Sequence, residues 1–192
     1  MEQKDMHEAR TNPEFLAYLD DTETKARDTQ DISKLYEVLD TLLVLDIDEQ
    51  RVHSVYEEIL KVSFDKIEDR LKDEKKLSLD DEDIYFIRSF YEHAIEKWSV
   101  SNFKGAKELF FILTQIVEDT VLLESLNVHL IATAKEYDMD IFYEEKVVHD
   151  YTPSEDKYGY FITHFKFDTK EYLDNNSDLL AEQFNLLKHL LS

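Results

Sequence analysis

A chain of 192 residues with 43 % hydrophobic side chains, 12 Phe and 11 Tyr carries ample apolar surface for one well-buried core, which excludes disorder throughout. Its 44 acidic residues against 22 basic ones give a formal charge of −22, which repels phosphate backbones and anionic membrane surfaces and attracts basic partners. The absence of cysteine excludes disulfides and thiolate chemistry, and two glycines (Gly105, Gly159) cannot build a P-loop or a dinucleotide fingerprint.

The amino terminus opens on charge (Glu2, Lys4, Asp5) with no apolar run behind it, so no signal peptide is expected. Asn12-Pro13 reads as an N-cap followed by proline at the first helical position, but few apolar anchors follow Phe15, Leu16 and Tyr18. Residues 1–29 are therefore expected to be a loosely attached arm, and 30–192 a single helical domain. From Asp31 the pattern strengthens: Ile32, Leu35, Val38, Leu39, Leu42 and Leu43 fall on the spacing of an amphipathic helix. Asp46-Ile47-Asp48-Glu49 breaks it, and Asp46 or Asp48 can cap the next helix, whose apolar face runs from Val52 to Leu71. That helix ends in the charge run Lys72-Asp73-Glu74-Lys75-Lys76.

Asp80-Asp81-Glu82-Asp83 sets four carboxylates at a helix start, where the macrodipole favours them. The helix behind carries Ile84, Phe86, Ile87, Phe90, Tyr91, Ala94, Ile95 and Trp98, and the next one Phe103, Ala106, Leu109, Phe110, Leu113, Ile116 and Val117. Another helix is expected from about Val121 to Tyr137. From Asp140 the residues favour extended chain: Ile141-Phe142-Tyr143 with Lys146-Val147-Val148 predicts one strand, Thr152–Asp156 a turn, and Tyr158–Phe167 a second strand rich in aromatic and β-branched residues. Asp174-Asn175-Asn176-Ser177 then caps a final helix carrying Leu179, Leu180, Phe184, Leu187, Leu190 and Leu191. The fold class expected is mainly α: a single-domain helical bundle or helical-hairpin array of about six or seven helices, with a C-terminal β-hairpin over about 141–167 and a final helix.

Within Phe90–Asp119, Ala94, Phe103, Ala106 and Phe110 sit at small and aromatic positions that let two helices approach closely. In these residues the stretch resembles one tetratricopeptide repeat, which implies a helical hairpin. It departs from the family at Trp98, at Leu113 where a small residue is usual, and at Glu118 where proline is common, and no second unit follows. An ordinary helical hairpin accounts for the same residues. Asp46, Asp48, Gln50, Ser54 and Glu57 match the ligand spacing of a calcium loop, but Arg51 replaces the glycine of the sharp turn. The apolar period of Val52, Val55, Tyr56 and Ile59 also runs through it as helix, so an acidic helix cap is the reading.

The seven histidines (His7, His53, His93, His129, His149, His164, His189) show no Glu-x-x-His step and no pair at helical spacing. His93 and His129 read as structural or surface residues, while His149 and His164 could face each other across the hairpin if it turns near Asp156. No Gly-x-Ser-x-Gly elbow marks a nucleophile. No catalytic, cofactor-binding or metal-binding residue is therefore assigned, and no cofactor is expected. The composition points first to a non-catalytic protein-interaction module of adaptor or chaperone-like type, cytoplasmic, with a protein partner and neither nucleic acid nor membrane. The alternatives are an acidic inhibitor or immunity-type protein that neutralises a basic enzyme, and a metal-binding or enzymatic helical bundle built on His93, His129 or the hairpin histidines.

Overall fold

The computed structural model describes residues 9–73, 75–150 and 157–191, so the turn expected at 152–156, His7 and Glu74 lie outside the described residues. The chain divides into two compact units, Met1–Lys66 and Ile67–Ser192.

In the first unit, helix α1 (Pro13–Thr29) starts where Asn12 accepts hydrogen bonds from the Glu14 and Phe15 N–H groups at 3.0 and 3.3 Å. Residues 13–29, expected as part of an arm, bury Leu19, Thr22 and Ala26, and α1 packs against α2 (Ile32–Leu45). Helix α2 is capped by Asp31 and buries Ile32, Leu35, Tyr36, Val38, Leu39, Leu42 and Leu45, the stripe its spacing predicts. Helix α3 (Glu49–Lys72) starts at Asp48, whose carboxylate accepts from the Arg51 N–H at 3.0 Å. The calcium-like spacing at Asp46 is thus a helix cap. Arg51 then pairs with Asp20 at 2.7 Å and Glu23 at 2.6 Å, which ties α1 to the first turn of α3.

The second unit takes the end of α3 from Ile67 and continues with α4 (Asp83–Ser99), α5 (Phe103–Ile116) and α6 (Thr120–Ala134). Short connections join these three, and α5 packs against both α4 and α6. Ala94 and Ala106 are fully buried, as close helix packing requires. Helix α6 buries Leu122, Leu126, Val128, His129, Leu130, Ile131 and Ala132, residues that surround its axis, so it is the central helix of the unit. Helices α7 (Met139–Lys146), α8 (Thr169–Asn175) and α9 (Ser177–Leu187) and a closing 3-10 turn (Lys188–Leu191) complete it; α8 and α9 pack on α6, and α7 on α4. No described helix is long and apolar enough to cross a membrane.

The mainly helical class holds, but the β-hairpin does not: no strand forms among the described residues. Residues 139–146 are helical because Asp138 caps them, accepting from the Ile141 N–H at 3.1 Å. Phe142 is buried between exposed Ile141 and Tyr143, a pattern that the two-residue and 3.6-residue periods satisfy equally well over so short a run. What survives of the pairing is a single antiparallel bridge, Val147 to Phe165. Replacing Asp138 by Ala should cost about 1 kcal/mol of stability and speed amide exchange at Ile141 and Phe142, as denaturant melts and hydrogen exchange would measure.

Candidate functional site

The interior of the second unit is organised around His129. Its imidazole is fully buried and lies stacked on Phe110, ring centroids 5.2 Å apart. Tyr91, Trp98, Phe142 and Phe165 surround it with centroids at 5.7, 5.8, 6.1 and 5.8 Å. Among the described residues neither ring nitrogen makes a well-formed hydrogen bond. Burial therefore pushes the imidazole down from the ordinary 6.5 to about 3, opposed only by the nearby Ser125 carbonyl, and the ring is neutral. The indole of Trp98 is anchored by its N–H, which donates to the Tyr137 carbonyl at 2.7 Å.

Against this interior lies the segment 157–165. The Tyr91 hydroxyl, buried and raised in pKa by that burial, accepts a hydrogen bond from the Ile162 backbone N–H at 2.9 Å. Phe161 packs edge-on against Tyr91, centroids 5.2 Å apart. The segment therefore uses its aromatic residues as plugs, and one amide that a strand would present to a ladder is satisfied by a side chain instead. At its start Lys157 pairs with Asp119 at 2.6 Å, and the Tyr158 hydroxyl donates to the same carboxylate. Asp119 also caps α6 through the Leu122 N–H at 3.0 Å. Burial alone would raise the Asp119 carboxyl, but these three donors hold it below the ordinary 3.8. Tyr160 lies over the Arg88 guanidinium, 4.2 Å from its ring centroid, and Arg88 in turn pairs with Glu92 at 2.7 Å.

Between this segment and the end of α7 opens a cleft of about 240 Å³, with Tyr143, His149, Tyr158, Tyr160, Ile162 and His164 on its walls. The backbone bridge aligns the walls: the Val148 N–H donates to the His164 carbonyl at 3.0 Å and the Lys166 N–H to the Lys146 carbonyl at 2.8 Å. His149 and His164 thus line one cleft, although this register sets Val148, not His149, opposite His164. The His149 Nε2–H donates to the Tyr143 carbonyl at 2.9 Å, which leaves Nδ1 as its acceptor nitrogen, and His164 Nδ1 lies 3.0 Å from Thr163 Oγ1.

Two further histidines of this unit lie off the cleft lining: His129 is in the core, and His93 holds the Glu96 carboxylate at 2.8 Å, its pKa lowered mainly by burial. Among the described residues no group of three or more His, Asp and Glu side chains is arranged to hold a metal. The cap at Asp119 was missed in the sequence, although an aspartate ahead of an apolar run is its signal. Tyr91 carried no such signal: its partner lies 71 residues away.

Two substitutions test this arrangement. Tyr91→Phe leaves the Ile162 amide without its acceptor and should cost about 1–3 kcal/mol, with faster exchange at that amide. His129→Phe should flatten the acid limb of stability. Because the folded pKa is depressed, the unfolded chain binds the proton first, and the wild-type contribution is complete above 6.5 and lost as pH falls toward 3. From pH 7 to pH 5 the variant's unfolding free energy should rise by about 2 kcal/mol relative to that of the wild type. No protein-family model, curated protein or solved structure matches the chain.

Proposed function

We propose that the chain is a non-catalytic protein-interaction module that holds a segment of a partner protein in the cleft between residues 143–149 and 158–164. The observation that carries this reading is the aromatic rim: Tyr143 and Tyr160 are each 44 % exposed at a cleft whose lining includes the buried Phe161, which packs on Tyr91. Tyrosine offers large contact area at small entropic cost and is enriched at energetically dominant interface positions. The wall residues are already held by the Tyr91 and Asp119 contacts, so little ordering cost remains for binding.

A charge-driven inhibitor would need its acids gathered on one face. Both units carry an acidic excess, 17 acids to 8 bases in residues 1–66 and 27 to 14 in residues 67–192. The −22 charge then favours partners with basic character without supplying the contact surface.

Affinity capture from native cell extract at low and high salt, comparing the wild-type chain with Tyr143→Ala and Tyr160→Ala, tests the reading. A partner retained at both salts by the wild type, and weakened at least about tenfold by either variant, supports it. Tyr143→Ala is the cleaner arm, because Tyr160 also covers Arg88. A partner lost at high salt and indifferent to both variants overturns it in favour of the acidic-inhibitor reading.

A further inference from the structure

A second cleft lies on the same unit and, unlike the first, is lined by Lys and Arg side chains. It has a volume of about 380 Å³ and is lined by Arg70 and Leu71 at the end of α3, Lys75 and Lys76, Gln115 and Ile116 at the end of α5, and Leu191. Among the described residues three cations and no carboxylate line it, in a chain that carries twice as many acids as bases. Other concavities follow the overall composition: one in the first unit is lined by Asp20, Glu23, Asp48 and Arg51, another by Asp46, Asp48 and Glu49.

The ordinary explanation for cations at such a place is neutralisation of helix C-termini. It accounts for Lys76, whose ammonium donates to the Gln115 carbonyl at the end of α5, and for Arg70 in the last turn of α3. It does not account for Lys75, which lies beyond α3 and pairs with Asp73 at 2.8 Å. Among the described residues each cation is positioned by one side-chain contact and keeps further donors. Arg70 meets Asp83 at a long 3.4 Å and has five N–H groups, while each lysine has three.

The backbone beneath is fixed. Leu77 makes a parallel bridge to Val117, the Leu77 N–H donating to the Ile116 carbonyl at 2.6 Å and the Glu118 N–H to the Leu77 carbonyl at 3.1 Å. Lys75 and Lys76 are therefore held at the mouth of the cleft next to an anchored residue. Leu71, Ile116 and Leu191 supply an apolar wall beside them, and Leu191 is 43 % exposed.

We infer that this cleft binds an aliphatic carboxylate, its oxyanion between Arg70, Lys75 and Lys76 and its hydrocarbon against Leu71, Ile116 and Leu191. The head and tail are both required: the cations alone are solvated and screened, and the apolar wall alone is small. The same chemistry is offered by a free aliphatic acid and by the carboxyl end of a polypeptide that terminates in leucine.

Titration of the full chain, followed by amide shifts of Lys75, Lys76, Ile116 and Leu191, tests the site with hexanoate, hexanol, inorganic phosphate, and a leucine-terminated peptide as free acid and as amide. Saturable binding of hexanoate with Kd on the order of 1 mM or below is expected, at least about tenfold tighter than hexanol or phosphate. Arg70→Gln and Lys75→Gln should each weaken it about threefold to tenfold, with far-ultraviolet circular dichroism and the melting temperature confirming that both variants fold. A peptide acid that binds more tightly than hexanoate, with its amide inactive, assigns the carboxylate to a polypeptide end; equal or weaker binding assigns it to a free acid. The inference is overturned if hexanoate gives no saturable shifts at these residues, if hexanol or phosphate binds as well, or if both glutamine variants bind like the wild type.

Discussion

The second unit is packed around one buried polar ring. His129 sits on the central helix with neither nitrogen well hydrogen-bonded among the described residues, and five aromatic side chains from α4, α5, α7 and the 157–165 segment close around it. An uncompensated buried polar group costs about 1–3 kcal/mol, so the surrounding packing must more than offset it. The same rings determine where the neighbouring segments end. Phe142 brings α7 in, Phe165 and Phe161 bring the following segment in, and the Tyr91 hydroxyl takes up the amide that this path leaves unpaired. The cleft proposed as the partner site is the outer side of that assembly, so its walls are ordered for reasons internal to the core.

The helices from α2 to α6 were legible because each carries a sustained apolar period and an Asp or Asn at its start. Of the tetratricopeptide-like residues, Ala94, Ala106 and Phe110 are buried and Phe103 is half-buried. The segment after Asp138 was misread because Phe, Tyr, Ile and Val promise a strand whenever local propensity is the only guide. Its conformation is decided instead by a capping aspartate and by aromatic contacts from distant helices. His129 was read as structural or surface; its packing makes it a core residue, and nothing local distinguishes it from an exposed histidine. The joint placement of His149 and His164 in one cleft followed from the approximate antiparallel return of the chain, which a single bridge preserves.

The acidity has a local use as well as a global one. Asp31, Asp48, Asp119, Asp138 and Asp168 each accept the backbone N–H three residues later at a helix start. These carboxylates satisfy donors that the helix itself cannot, and they face the positive end of its dipole. Others are neutralised in pairs, as Asp20 and Glu23 are by Arg51. Much of what composition presents as a field for attracting partners is thus committed to the chain's own architecture.

The opposite ends of the helices have another consequence. Gln30, Asp46, Ser101 and Glu136 stand at or just beyond helix C-termini with φ between 50° and 58°, where glycine is the usual residue, yet neither glycine of this chain adopts a positive φ. A side chain in that conformation costs about 1 kcal/mol relative to glycine. Drift toward glycine at these four termini is therefore an open evolutionary route to a more heat-resistant chain, one that leaves both clefts and the aromatic interior untouched.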